Sequence, residues 1–158
     1  MASLTFISYP KGSFKCKEVS GHFQLTEDLS TVEHYGDYLI KTTVSKGYEW
    51  DGASTPVWLR WFLPKFDKKN ELYNVVALLH DVRYGARGFC LVDREETDDM
   101  LRGGWRIAGL GRFKASSADY FIEKIAESHW GNDDYKCSHL AKMEMKLWKD
   151  IYAENLSI

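Results

Sequence analysis

The stretch Leu72-Tyr73-Asn74-Val75-Val76-Ala77-Leu78-Leu79-His80-Asp81-Val82-Arg83-Tyr84 decides how this chain is read. Its apolar run predicts a helix from Asn70 to Tyr84, ended by Gly85 and Gly88. Near its end an imidazole and a carboxylate stand side by side. Burying either is costly unless it is paired. A hydrogen-bond network, a metal ion or a substrate must therefore compensate them.

The next helix opens with a second charged group, Arg94-Glu95-Glu96-Thr97-Asp98-Asp99. Asp93 and Glu96 have the spacing of a capping box, and the helix is expected to run to about Ile107. Arg94 and Asp98 are four apart and share a face, which Leu101 continues inward. The segment from Gly85 to Val92 is short enough to fold this helix back antiparallel to the first. Asp98 could then reach His80. A carboxylate behind an imidazole fixes its tautomer and raises its basicity, as a general base requires. Tyr84 lies on the same stripe as His80, while Asp81 is turned by about 100° and can face a cation beside it.

Upstream the pattern is β. Leu4 to Ser8 and His22 to Leu25 are short strand candidates. In Asp37 to Val44 the residues Tyr38, Ile40, Thr42 and Val44 share one face at period two. Gly12, Gly21, Gly36 and Gly47 mark turns. After Asp51 the period changes. Ser54 or Thr55 can cap a short helix that starts at Pro56 and runs through Val57 to Leu63. A further helix is expected from Ser116 to Ser128, with Ala118, Phe121, Ile122 and Ile125 on one stripe. A last one is expected from Ser138 to Tyr152, where Leu140, Met143, Leu147 and Ile151 recur at helical spacing. The expected fold class is α+β: a small N-terminal antiparallel β-sheet followed by a bundle of about five helices, in one domain over 1–158 (β-rich 1–50, helical 54–153).

The bulk properties narrow the function classes. The 158 residues fit one domain with a real core. A formal net charge of −2 and the lack of a basic stripe give no strong nucleic-acid signal. Aromatics at 15% predict a well-filled core, with some rings left to line a pocket or contact face. No signal peptide is read at the start, and no apolar run approaches the roughly 18 residues of a membrane span. Cys16, Cys90 and Cys137 are odd in number and far apart, so reduced thiols in a cytoplasm are expected. Cys137-Ser138-His139 has the chemistry of a zinc-ligand pair but lacks a second pair. His22 and His34 have no partner spacing, and His129 reads as a helix-end residue.

One more piece has chemical potential: Trp50-Asp51-Gly52-Ala53-Ser54-Thr55-Pro56, joining strand to helix. Gly52 lets the backbone turn tightly, and N–H groups at the helix start, with Ser54 and Thr55, can hold an anion. Asp51 can bind a cation or orient another side chain. Ser54 lacks the G-x-S-x-G setting of a nucleophile elbow.

On three ordered motifs the chain resembles a family known mainly from phages and prophages as a domain of unknown function. The motifs are Gly47 to Pro56, His80-Asp81-Val82-Arg83-Tyr84 and Arg94 to Leu101, within about residues 38 to 105. Thr97 and Leu101 stand where the family pattern has Ala and Phe. The last fifty residues lie outside the resemblance, and the family carries no activity. A helix with H-D-x-x-Y, followed by an antiparallel helix bearing an aspartate, is also distantly similar to the phospholipases A2. That likeness implies His80 as general base for water, Asp81 as calcium ligand, and Asp98 with Tyr84 as support. The glycine-rich calcium loop of those enzymes is missing, with Asp51-Gly52-Ala53-Ser54 its only candidate substitute, and so are their bracing disulfides.

Three readings of function follow. In the first, a phage-encoded hydrolase uses a divalent cation (calcium or another) on Asp81 and Asp51 to polarise an ester or phosphoester, while His80 backed by Asp98 activates water. Gly52, Ser54, Thr55 and Arg94 would hold the substrate's anionic group. In the second, a non-catalytic virion or assembly component, or an inhibitor of a host protein or host defence, uses the same residues as a buried brace and Trp58, Trp61, Trp105 or Trp130 as contacts. Binding or degrading a nucleotide messenger is a third possibility, with phosphate at the Asp51 to Pro56 turn. The partner is accordingly a small substrate or a host or phage protein. The expected place is the cytoplasm of the infected cell or the virion.

Overall fold

The computed structural model describes residues 2–53, 60, 63–111, 114, 117, 120, 130 and 139–156, with the side chains of 152, 155 and 156 excepted. Among these residues, seven strands form two antiparallel sheets, accompanied by three α-helices. The strands are β1 (Leu4–Ser8), β2 (Cys16–Val19), β3 (His22–Leu25), β4 (Leu29–Tyr35), β5 (Tyr38–Val44), β6 (Glu49–Trp50) and β7 (Ala141–Leu147). The helices are α1 (Glu71–Gly85), α2 (Arg94–Ile107) and α3 (Trp148–Leu156), with a 3-10 turn at Arg87–Cys90 between the first two. The larger sheet has the order β1-β4-β5-β7 and the smaller β2-β3-β6.

This corrects the expected small N-terminal sheet and five-helix bundle. The decisive difference lies in Ala141–Leu147, which was expected to be helical. Leu140, Met143, Leu147 and Ile151 do recur at helical spacing. However, Ala-Lys-Met-Glu-Met-Lys-Leu also alternates strictly, and the exposed residues are Lys142, Glu144 and Lys146. The segment pairs with β5 in an unbroken register from Tyr38↔Leu147 to Val44↔Ala141. That pairing satisfies backbone groups that an edge β5 would leave open, a gain no helix here can match. The C-terminal segment thus completes the sheet begun at the N-terminus. The helices expected at Val57–Leu63 and Ser116–Ser128 fall largely outside the described residues.

Several local expectations hold. Helix α1 starts one residue after the expected Asn70, whose side chain caps it by accepting from the Tyr73 amide at 3.1 Å. Asp93 and Glu96 form the reciprocal capping box at the start of α2. Helix α1 is buried on nearly every side, as its uniform apolarity requires. Val75, Leu78, Leu79 and Val82 pack with Leu25, Leu29, Val44 and Trp50 from the two sheets. Its other flank meets α2 through Tyr73, Val76 and Ala77 against Leu101 and Trp105. The Tyr73 and Trp105 rings are stacked 5.1 Å apart.

Close approach of α2 depends on Gly103 and Gly104. A Cβ on Gly104 would lie 2.7 Å from Val76 Cγ1, and one on Gly103 would lie 2.8 Å from Leu4 Cβ on β1. The helix is therefore wedged against α1 and the large sheet together.

Beneath α1 the large sheet presents polar groups as well as apolar ones. Leu29, Thr31, Glu33 and Tyr35 of β4 all point inward, and so do Ile40, Thr42 and Val44 of β5. Glu33 meets the Arg83 guanidinium of α1 in an ion pair whose two side chains are each 2% exposed. Removing one partner from such a pair leaves an uncompensated buried charge, at a cost of about 3–5 kcal/mol. Glu33→Leu and Arg83→Met should each lower unfolding stability by that order in urea titrations. The Glu33→Leu/Arg83→Met double variant should be less destabilised than the sum of its singles; simple additivity would mean that the two charges do not depend on each other.

Candidate functional site

The C-terminal half of α1 and the first turns of α2 run antiparallel and face each other across His80, Tyr84, Arg94 and Asp98. Positions 80 and 84 are one turn apart, so their rings meet on the α1 surface, tilted at 39° with centroids 4.3 Å apart. The capping box fixes where α2 begins, and Asp98 follows one turn later. Asp98 Oδ1 accepts the Tyr84 hydroxyl at 2.7 Å and lies 3.0 Å from His80 Nε2. With the carboxylate as acceptor, Nε2 carries the imidazole proton and the lone pair resides on Nδ1. Arg94 Nη1 lies 3.7 Å from Asp98 Oδ2, an ionic contact beyond hydrogen-bond length.

The group straddles the boundary between core and solvent. The Asp98 side chain is 9% exposed, that of His80 16% and that of Arg94 32%. Burial pushes the His80 pKa below its ordinary value, and the nearby Arg83 charge acts in the same direction. The hydrogen bond and charge of Asp98 oppose this without overcoming it. The imidazole is accordingly neutral at physiological pH, the form a base needs. Burial first, then the Asp98 contact, raises the Tyr84 pKa well above the phenol range, so this hydroxyl remains a donor. Trp130 meets the Tyr84 ring edge-on at 5.0 Å and covers it.

Of the remaining expected site residues, Asp51 and Gly52 lie elsewhere. Asp51 is 75% exposed and pairs with His22 Nδ1 at 3.3 Å. Its neighbour Ala53 packs with Tyr73, Val76 and Ala77, near the opposite end of α1 from His80. Gly52 takes a left-handed φ of 80°, and a Cβ there would run into the Lys65 carbonyl oxygen. The role of its backbone is thus to close the loop, together with the 2.8 Å bond from the Ala53 amide to that same oxygen. Ser54 and Thr55 lie outside the described residues. Asp81 is half-buried and is not an unpartnered carboxylate.

Asp51 is engaged with His22, and among the described residues no three His, Cys, Asp or Glu side chains are grouped to hold a metal ion. A hard cation such as calcium needs six to eight converging oxygens. The groups brought together at this site are a neutral imidazole, a carboxylate that orients it, and a guanidinium beside them.

Two features escaped the sequence reading. Arg83 was visible as a charged residue inside an apolar helix, but Glu33 sits fifty residues away. The cover that Trp130 gives Tyr84 left no local signal at all.

With this geometry in view, the chain can be placed. Residues 23–120 match a protein family of unknown function, DUF1353, and the chain belongs to it. The match spans all three ordered motifs, so the expected membership of an uncharacterised family holds. No curated protein and no solved structure matches the chain.

The depressed His80 pKa has a signed consequence. The folded state binds the imidazole proton less tightly than the unfolded chain, whose histidine titrates near 6.5. Stability from this group is full above that pH and falls as pH drops from about 6.5 towards the lower folded value. His80→Gln should flatten the pH dependence of urea stability in that window. An unchanged slope would show that His80 is not the group responsible.

Proposed function

We propose that this protein is a small hydrolase in which His80 is the general base that directs water at an ester or phosphoester. The observation that carries this reading is the single oxygen, Asp98 Oδ1, shared by Tyr84 Oη and His80 Nε2. It orients the ring and leaves Nδ1 to take a proton from water. In the transferring step, a water O–H proton passes to Nδ1 while the water oxygen bonds to the carbonyl carbon or phosphorus. Asp98 stabilises the imidazolium so formed, and the proton then passes to the leaving oxygen. Arg94, a third exposed, is the group suited to an anionic oxygen of the substrate. The likeness to phospholipases A2 supports the same assignment of His80 and Asp98. The motif resemblance supports a phage-encoded protein acting in the infected cell or carried in the virion.

A second reading has its own observation. Asp98 and Tyr84 are 7% and 5% exposed, and Trp130 lies over Tyr84. The same residues would then brace α1 against α2 in a non-catalytic virion, assembly or host-binding protein. Hydrolysis of an aryl ester and of an aryl phosphodiester separates the two. General-base catalysis contributes about 10²–10⁴-fold, so His80→Gln should lose that much turnover while keeping the wild-type circular dichroism spectrum. Asp98→Asn should fall less far and Tyr84→Phe least. Hydrolysis indifferent to His80→Gln, with stability lowered in all three variants, would instead establish the brace.

A further inference from the structure

Away from His80, the inner face of the large sheet opens into a cavity of about 380 Å³, where the β4–β5 hairpin meets the start of α2. That volume lies within the range of small-molecule pockets. Tyr35 and Tyr38, opposite each other in the β4–β5 ladder, both line it. Asp37 from the turn between them and Glu96 from α2 supply carboxylates, while Leu91 and Met145 supply apolar walls. Among the described residues that line it there is no basic side chain.

Tyr35 is the telling member. The residue is 3% exposed, yet its hydroxyl makes no hydrogen bond with any described residue, and it faces the field of Asp93, Glu96 and Asp99. This hydroxyl is not one of the sealed, unsatisfied polar atoms of the core, so it offers an open hydrogen-bonding group to whatever occupies the cavity. Arg102, the cation on the same helix, is already bound to Asp99 at 2.5 Å. We propose that this cavity is a binding site for a small organic cation, an aliphatic ammonium or guanidinium. Its charged head would lie between the Glu96 and Asp37 carboxylates and the Tyr35 hydroxyl, and its carbon chain against Leu91 and Met145. The faces of two tyrosines add attraction for a cation without requiring a full oxygen shell. A bare metal ion suits this lining poorly, since much of the wall is apolar and two carboxylates fall short of six oxygens.

The probe is agmatine, which carries an ammonium and a guanidinium on a four-carbon chain, with 1,4-butanediol as an uncharged comparison. Titration of the full chain, followed by amide chemical shifts, should show saturable agmatine binding centred on residues 35–38, 91 and 96, with no effect of the diol. Glu96→Gln keeps the capping box intact. This variant and Tyr35→Phe should each weaken agmatine binding about tenfold, which corresponds to about 1.4 kcal/mol. His80→Gln should leave it unchanged, so the result is independent of the hydrolase reading. Equal shifts from agmatine and the diol, or undiminished affinity in a folded Glu96→Gln variant, would overturn the assignment.

Discussion

Arg83 carries its guanidinium into the interface between α1 and the large sheet, where a lone charge could not remain. The Glu33 carboxylate of β4 makes that burial tolerable, and in doing so sets how α1 is rotated and how far it is slid along the sheet. Arg83 is three residues beyond His80, about 60° around the helix from it. Once the guanidinium is anchored on the sheet side, His80 and Tyr84 are turned towards α2. The remaining contacts of the helix then follow from its apolar residues, which fill the space on either side.

The second helix is held from both ends. Its capping box fixes the start, and two glycines further along let it approach α1 and β1 closely. Asp98 therefore reaches its place by backbone geometry rather than by a flexible search. This matters for the chemistry, because one carboxylate oxygen serves two donors and a small shift would lose one of them. Desolvation outweighs the attraction of Asp98 for a protonated imidazole, so His80 combines an orienting partner with a neutral ring. The buried Arg83 charge adds to that effect, and the residue that orients α1 thereby also helps keep the imidazole neutral.

The elements that could be read locally are those whose signals are local. The Asn70 and Asp93 caps, the uniform apolarity of α1 and the Tyr38-to-Val44 alternation each lie within a few residues. Strand β4 was less visible because its inward positions, Leu29, Thr31, Glu33 and Tyr35, mix apolar and polar types. Glu33 lies on the inward face by strand alternation, and Arg83 compensates its charge there. Strands β2 and β6 are short and take their stability from pairing with β3. Strand β7 fits two periodicities at once, and the choice was made by the open edge of β5.

Within the chain itself, the apolar run ending in His80-Asp81-x-x-Tyr84 and the four-residue spacing of Arg94 and Asp98 determined two successive helices, the first carrying the imidazole near its end and the second carrying the acid near its start. Helical periodicity and capping are properties of neighbouring residues, so they need nothing from the rest of the fold. Tertiary structure alone decided that Asp51 stays with His22, that Arg83 is neutralised by Glu33, and that residues 141–147 form a strand. Each of those outcomes depends on partners far away in sequence, and their energies arise only when the chain brings buried charges and open sheet edges together.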